Sequence, residues 1–450
     1  MRAPGRGGDG RLRLPGRRPE RTPRYARWVW PAGLALTSLG WYAADSLRHR
    51  REQGEGYELR GDGLDVADRE FMRAAQALTG AAISEGNDVE LFVNGDRIFP
   101  TFLETIAGAR STLNLLTYVY WRGDIARELA EALCAKAKEG VEVNVLLDAV
   151  GTMKMEPALI ERLTAAGVTV AKFRPPRLYA LRRLANRTHR KVVVADGRVG
   201  LIGGVGIAEE WTGDAQDAEH WRDSHLRVRG PVVRDLQGAF AENWLEATGD
   251  VLVGPGYLPQ LDPVTEEGGS MQLVRSAAGV GDTNVEALYF LAIACAREKL
   301  DLTAAYFAPR PAFIRALCDA AGRGVAVRIL VPGPNIDKEF VRVAGRSTYA
   351  ELLSCGVRLW EYQPTMLHAK SLCVDDVWSS VGSVNFDNRS FQLNDEVTLC
   401  VQSERFAAEL SAQFARDLEV SQEIDGERWN GRPLHHRARE RVTQLARREI

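Results

Sequence analysis

Two stretches decide the reading of this chain: Thr188-His189-Arg190-Lys191-Val192-Val193-Val194-Ala195-Asp196 and Leu367-His368-Ala369-Lys370-Ser371-Leu372-Cys373-Val374-Asp375. Both fit His-x-Lys-x-x-x-x-Asp. The chain has 7 His and 8 Lys against 50 Arg, so the number of such matches expected by chance is on the order of 0.01. The likeness extends beyond the motif. Gly203 and Gly382 stand seven residues past each Asp, and three further on Gly206 answers Asn385.

The residue types carry a chemistry. On a strand, positions i and i+2 project from the same face, so each motif sets an imidazole beside an ammonium. Val192–Ala195 and Ser371–Val374 continue as buried strands. A cation beside an imidazole lowers its basicity, an arrangement that makes sense where an anion is bound. A phosphate would satisfy both groups. Lysine kept at both sites of an Arg-rich chain points to a compact, rotatable donor rather than a planar fork. Gly203, Gly204 and Gly382 allow close backbone approach, and Gly204, Ser383 and Asn385 are candidate phosphate-binding residues. With two imidazoles facing one phosphodiester, one can attack phosphorus and the other can protonate the leaving alkoxide. Such a reaction needs neither metal nor cofactor. The catalytic set is therefore His189, Lys191, Asp196, His368, Lys370 and Asp375. Each Asp, seven positions from its His, falls on the opposite strand face and is expected to anchor the following turn. Each His also needs an orienting carboxylate. Asp223 and Glu396, on later strands, are the candidates, with strand parity favouring Glu396 over Asp395.

Outward from the motifs, the chain repeats itself. Thr112–Tyr120, the helical run Ile125–Lys138, Gly140 and the strand Val141–Leu147 correspond to Leu300–Phe307, Ala312–Ala321, Gly324 and Val325–Val331. Both helices contain Ala-Leu-Cys, ending at Cys134 and Cys318. Each half continues with a further helix, a Gly-Val turn (Gly167-Val168, Gly356-Val357) and another strand. Strands alternating with helices indicate α/β architecture. Two copies imply two similar α/β sandwich halves related by a pseudo-two-fold axis.

At 450 residues the chain exceeds one ordinary core. Its 45% hydrophobic and 26% charged residues exclude a mostly disordered chain, a collagen-like chain and a polytopic membrane protein. The net charge of −2 hides a partition: residues 1–51 carry +9, leaving −11 for the remainder. Basic stretches at 172–191 and 426–450 interrupt that acidic body, and the first is read as a contact for anionic headgroups beside the site. The six cysteines, Cys134, Cys295, Cys318, Cys355, Cys373 and Cys400, show no CxxC pair or metal-ligand spacing. They read as small buried hydrophobes rather than a disulfide framework.

Residues 28–44, WVWPAGLALTSLGWYAA, contain no charge. As a helix this run spans about 25 Å, slightly short of a bilayer's hydrocarbon core. Trp28, Trp30, Trp41 and Tyr42 sit at its two ends, where amphipathic rings favour the headgroup layer. An uncleaved transmembrane helix is the first reading; a cleaved signal peptide and a surface-lying helix are the alternatives. Nine Arg precede the run and Arg48, Arg50 and Arg51 follow it. The larger cluster favours a cytoplasmic tail and an external body, but positive charge on both flanks leaves orientation open.

His189-x-Lys191, His368-x-Lys370, Gly382-Ser383-x-Asn385 and the run Asn385-Phe386-Asp387-Asn388-Arg389-Ser390-Phe391 together resemble the phospholipase D superfamily, and within it the bacterial cardiolipin synthases. Asn94-Gly95 leading into a helix, Trp429 and Arg432-Pro433 add lesser support, and the resemblance covers roughly residues 88–435. It implies exchange of phospholipid alcohols through a phosphohistidine, without metal. Implied substrates are phosphatidylglycerol, joined in pairs with release of glycerol, and phosphatidylethanolamine as a second donor. The family usually has Asn where this chain has Gly206, which puts in doubt the symmetry of the phosphate contacts and which His is the nucleophile.

The expected organisation is a basic tail (1–27), a transmembrane helix (28–44), a linker (45–87) that leads into a helix around 66–83, a first phospholipase D-like half (88–262), a second (263–425) and a basic tail (426–450). The expected function is a phosphatidyltransferase, first of all a cardiolipin synthase, anchored once in the bacterial inner membrane and working at a membrane surface. Alternatives are a hydrolytic phospholipase D, a nucleic-acid phosphodiesterase and a catalytically silent lipid-binding protein. The acidic body argues against nucleic acid as a partner.

Overall fold

In the first half, β2 (Thr112–Thr117) is buried on both faces, as its unbroken apolar run requires. It pairs in parallel with β3 (Glu142–Asp148), and the helix Asp124–Lys138 makes the crossover. Ile125, Leu129 and Leu133 of that helix recur at intervals of four and are buried, while Lys136 and Lys138 lie in its last turn. Gly140, at φ 91°, turns the chain back toward the sheet. The second half repeats the device. Phe313, Ile314, Leu317 and Ala320 of the helix Pro311–Gly322 are buried, and Gly324 turns the chain at φ 95°.

The computed structural model describes residues 57–60, 64–176, 186–265, 267–277 and 283–431. The run read as a membrane span (28–44), the tail 1–27 and most of the C-terminal tail lie outside these residues. Among the described residues no helix is long and apolar enough to cross a membrane.

With β1 (Asp88–Val93), β4 (Thr169–Phe173), β6 (Val192–Ala195), β7 (Val199–Gly203) and β8 (Ser224–Arg229), the first half builds a seven-stranded sheet of order β1-β8-β7-β6-β2-β3-β4. The second half contains β9 (Ser270–Ser276), β10 (Lys299–Ala304), β12 (Ala326–Pro332), β13 (Arg358–Tyr362), β14 (Lys370–Val374), β15 (Trp378–Gly382) and β17 (Asn394–Gln402). Their order, β9-β17-β15-β14-β10-β12-β13, matches the first sheet position for position. Four short strands lie outside this repeat: β18 (Ser421–Glu423) edges the second sheet, β11 (Phe307–Ala308) pairs with β16 (Phe386–Asp387), and the fourth crosses between halves. Finally β5 (Arg187–Thr188), a first-half segment, joins β17 of the second sheet.

Three cores result. Each half has its own core on its outer face, and a third combines Leu116, Val192, Ile202 and Leu226 of the first sheet with Leu273, Val381, Val397 and Leu399 of the second. The segment read as a linker is structured in part. Val66, Phe71, Met72 and Ala75, on and before the helix Arg69–Thr79, are buried in the core of the second half. That helix falls within the one expected around 66–83; its docking on the second half is what the sequence did not show.

The cysteine reading is corrected as well. Cys318 and Cys355 form a disulfide with Cα atoms 5.4 Å apart, whereas Cys134, Cys295, Cys373 and Cys400 are free and buried. The pair lies 37 residues apart in sequence, a spacing that carries no signal until the two helices pack.

Candidate active site

Two reciprocal backbone contacts assemble the site. Pairing of β5 with β17 lets the His189 N–H donate to the Asp395 carbonyl at 2.9 Å. A single bridge between Arg222 and Leu367 does the same in the other direction, and the His368 N–H donates to the Arg222 carbonyl at 2.7 Å. Each histidine is thus held beside the residue that precedes the other half's carboxylate. The side chains follow. His189 Nδ1 lies 3.0 Å from Glu396 Oε2, and His368 Nδ1 lies 2.7 Å from Asp223 Oδ2. All four residues are buried.

Each carboxylate has further donors. Glu396 accepts from the hydroxyls of Ser383 and Ser390 and from Asn394 Nδ2. Asp223 accepts from the Ser224 N–H at 2.8 Å and from the indole Nε1 of Trp211 at 2.9 Å. Burial is the largest single influence and would raise both carboxyls, but the neighbouring histidine, a lysine and the hydrogen-bond donors together outweigh it and hold each below the usual range. Arg222, beside Asp223, makes a buried two-pronged contact with Asp417 at 3.0 and 2.8 Å and braces this corner of the site.

Lys191 and Lys370 complete the set. The Lys191 ammonium donates to the His189 carbonyl at 2.7 Å, and that of Lys370 donates to the His368 carbonyl. Burial pushes Lys191 down to about 7, helped by the charge of Lys370, and pushes Lys370 down to about 8. Burial likewise lowers His189 to about 4 and His368 to about 3, with the adjacent lysine adding to it in each case. Without substrate both imidazoles are therefore neutral at neutral pH, with Nδ1–H donated to a carboxylate and Nε2 left to act as nucleophile or base, that of His368 with the Lys370 ammonium 3.1 Å away. An anion between the two ammonium groups would offset their repulsion. Aromatic rings enclose the pair: Tyr118 stands edge-on to His189 at 5.1 Å, and Trp211 and Trp221 approach His368 at 5.1 and 5.6 Å.

The structure brings His189, Lys191, His368, Lys370, Asp223 and Glu396 together, with the carboxylates exchanged between halves. Asp196 and Asp375 lie at the far ends of β6 and β14 instead. Asp196 accepts from the N–H groups of Arg110, Ser111 and Thr112, and Asp375 from those of Arg297, Glu298 and Lys299. Both adopt φ 54°, so each shapes a turn and ties down the start of a neighbouring strand. Gly204 does not offer its N–H to a ligand, because it donates to the Ser224 carbonyl at 3.1 Å. Its missing side chain makes room for Asp223, whose Oδ1 would stand 2.2 Å from a Cβ there. Ser383 spends its hydroxyl on Glu396 and its N–H on the Val397 carbonyl. Asn385 is buried, and its Oδ1 has no partner.

The basic stretch before the first motif is structural where described. Arg187 and Arg190 are buried, the latter bound to Glu242 and to the carbonyls of Ala239, Ser276 and Glu396, and Arg174 pairs with Glu246. Arg177, Arg182 and Arg183 lie outside the described residues. Sequence reasoning missed Trp211, Ser390 and Arg222. One signal for the first two was available: Trp211 and Ser390 share the spacing that relates Gly206 to Asn385.

A duplicated α/β fold with a His-Lys pair from each half meeting in one buried site defines a phospholipase D-like protein. The sequence comparisons take this further. A family model described as "Cardiolipin synthase, PLD-like domain" matches residues 102–243 and 289–418, and the chain belongs to that family. It is 36% identical over 379 residues to a cardiolipin synthase of Geobacillus sp. (strain WCH70), covering 84% of this chain and 75% of that protein. It is 36% identical over 376 residues to cardiolipin synthase 2 of Bacillus anthracis, covering 83% and 73%. Among solved structures, phosphatidylserine synthase of Haemophilus influenzae Rd KW20 shares the fold, with TM-score 0.61, 14% identity, and coverage of 85% of this chain and all of that one.

Proposed function

We propose that this protein is a cardiolipin synthase that transfers a phosphatidyl group from one phosphatidylglycerol to the glycerol hydroxyl of another. The observation that carries this reading is the reciprocal histidine–carboxylate pairing across the halves, with both lysines buried beside it. In the first step one imidazole nitrogen attacks phosphorus and the bond from phosphorus to the glycerol oxygen breaks. The second histidine, which takes up a proton from solvent once the bound phosphodiester anion raises its proton affinity, gives that proton to the oxygen. In the return step the second imidazole takes the proton of the acceptor hydroxyl, which attacks phosphorus and frees the first histidine. Lys191, Lys370 and Asn385 offset the charge on the phosphoryl oxygens; the Asn385 amide can turn its NH2 toward them by a flip. Asp223 and Glu396 hold tautomer and ring orientation. Phosphatidylethanolamine would serve as a second donor through the same step with ethanolamine as leaving group.

The same reading places the chain at the inner membrane, with residues 28–44 as a single span, residues 1–27 cytoplasmic and the catalytic body outside. Two features support this orientation: the Arg-rich tail and the Cys318–Cys355 disulfide, since disulfides persist in oxidising compartments. The functional test is incubation of purified protein with phosphatidylglycerol vesicles in the presence of EDTA, with and without phosphatidylethanolamine. Cardiolipin and glycerol in equal amounts are expected. Phosphatidic acid without cardiolipin would make the protein a hydrolase, and no lipid product at all would refute the assignment.

A further inference from the structure

The two halves share one spacing, with Gly204, Gly206 and Trp211 in the first answering Ser383, Asn385 and Ser390 in the second. Backbone geometry supports the equivalence. Ile207 bridges Tyr120 in the first half, and Phe386 pairs in parallel with Phe307 in the second. Trp211 then sits three residues past Ala208, whose carbonyl accepts its N–H, as Ser390 sits three past Asp387, whose carboxylate accepts its own. In the second half the hydroxyl of Ser390 donates to Glu396 at 2.7 Å. In the first half the indole of Trp211 donates to Asp223 at 2.9 Å. Asp223 is one methylene shorter than Glu396, and the longer reach of an indole makes up the difference.

The same indole takes the space an Asn side chain would need. A Cβ on Gly206 would stand 2.8 Å from Val119 Cβ and 3.1 Å from the Cη2 and Cζ3 atoms of Trp211. Trp211 is buried, packs on Trp221 at 4.4 Å and faces His368 edge-on at 5.1 Å.

We propose that Trp211 is a positioning residue that replaces, in the first half, both the missing amide side chain at Gly206 and the hydroxyl that Ser390 supplies in the second, and that it sets the orientation and basicity of His368 through Asp223. The active site is then built from two unlike halves, Asp-Trp-Gly holding His368 and Glu-Ser-Asn holding His189. This inference rests on the two-histidine transfer reading, although its test does not need a lipid.

The charged and titratable groups around His368 are Asp223, Lys370, Lys191 and the hydroxyl of Tyr306, whose ring lies 6.3 Å away. Of these Asp223 is the one bonded to Trp211. Trp211→Phe removes the N–H and keeps most of the ring. Without that donor Asp223 becomes a stronger acceptor, so the proton affinity of His368 rises and its limb of the pH–rate profile moves to higher pH. Turnover of the soluble diester bis(4-nitrophenyl) phosphate should fall about tenfold or more, as for a lost hydrogen bond to a charged group. Gly206→Asn should cost at least about 100-fold, because the crowded indole is displaced. Adding Trp211→Ser to Gly206→Asn frees the space and should recover about tenfold or more over Gly206→Asn alone. All variants are compared at matched folding by circular dichroism and thermal midpoint. A Gly206→Asn variant as active as the parent, or a folded double variant no better than Gly206→Asn, would overturn the proposal. So would a Trp211→Phe profile of lower amplitude with unmoved limbs, the mark of a purely structural role. Parent protein that turns over the diester yet makes no cardiolipin would refute the proposed function and leave this inference standing.

Discussion

Glu396 accepts the Nδ1 hydrogen bond of His189 across 207 residues of sequence, at 3.0 Å, and the two belong to different halves. Asp223 does the same for His368 in the opposite direction. Neither half therefore contains a complete histidine–carboxylate pair of its own.

Neutralising either carboxylate should disable the site without unfolding it. Glu396→Gln and Asp223→Asn each remove the acceptor that fixes the histidine tautomer, and kcat is expected to fall by about 10³–10⁴. The check is steady-state cardiolipin formation beside a thermal melt. A fall of less than tenfold in a fully folded variant would remove the orienting role.

Alkaline pH should weaken phosphate binding before it affects stability. Burial brings Lys191 down to about 7 and Lys370 to about 8, so each loses its charge, and its hold on phosphate, as pH rises through those values. The profile of kcat/KM, which reports the free enzyme, should therefore decline steeply above this range. Lys191→Arg keeps its charge throughout and should remove the first part of the decline, whatever it costs in rate.

The signature aspartates should behave as structural residues. Asp196→Ala or Asp375→Ala strips three backbone N–H groups of their acceptor, a loss of about 1–3 kcal/mol. Urea denaturation should show the drop, while kcat per folded molecule stays within a few-fold of the parent.

The disulfide closes a loop of 37 residues, for which loss of the bond should cost about 2–4 kcal/mol. Dithiothreitol should lower the urea midpoint of the parent and leave that of Cys318→Ser/Cys355→Ser unchanged.

Much of this was legible in the sequence because it is written twice. The motif pair, the helix-Gly-strand repeats and the flanking glycines located both sheets and six of the residues that meet in the site. Pairing of the carboxylates was not legible: Asp223 follows His189 and Glu396 follows His368 in the chain, and only the insertion of β5 beside β17 exchanges them. Arg187 and Arg190 read as surface charge because sequence shows sign and not burial; both are neutralised inside by Asp148, Glu242 and main-chain carbonyls. Trp211 was hidden by its residue type, since an indole in the place of a serine looks like core packing until its N–H is seen on Asp223.

The most direct measurement is retention of a radiolabelled phosphatidyl group on the protein after alkaline quench, which preserves a phosphohistidine. Parent protein, His189→Ala and His368→Ala would be compared with labelled phosphatidylglycerol. Label should remain on the parent and on one of the two variants, and neither variant should make cardiolipin. Absence of label from the parent during active turnover, or label on both single variants, would contradict the two-histidine mechanism.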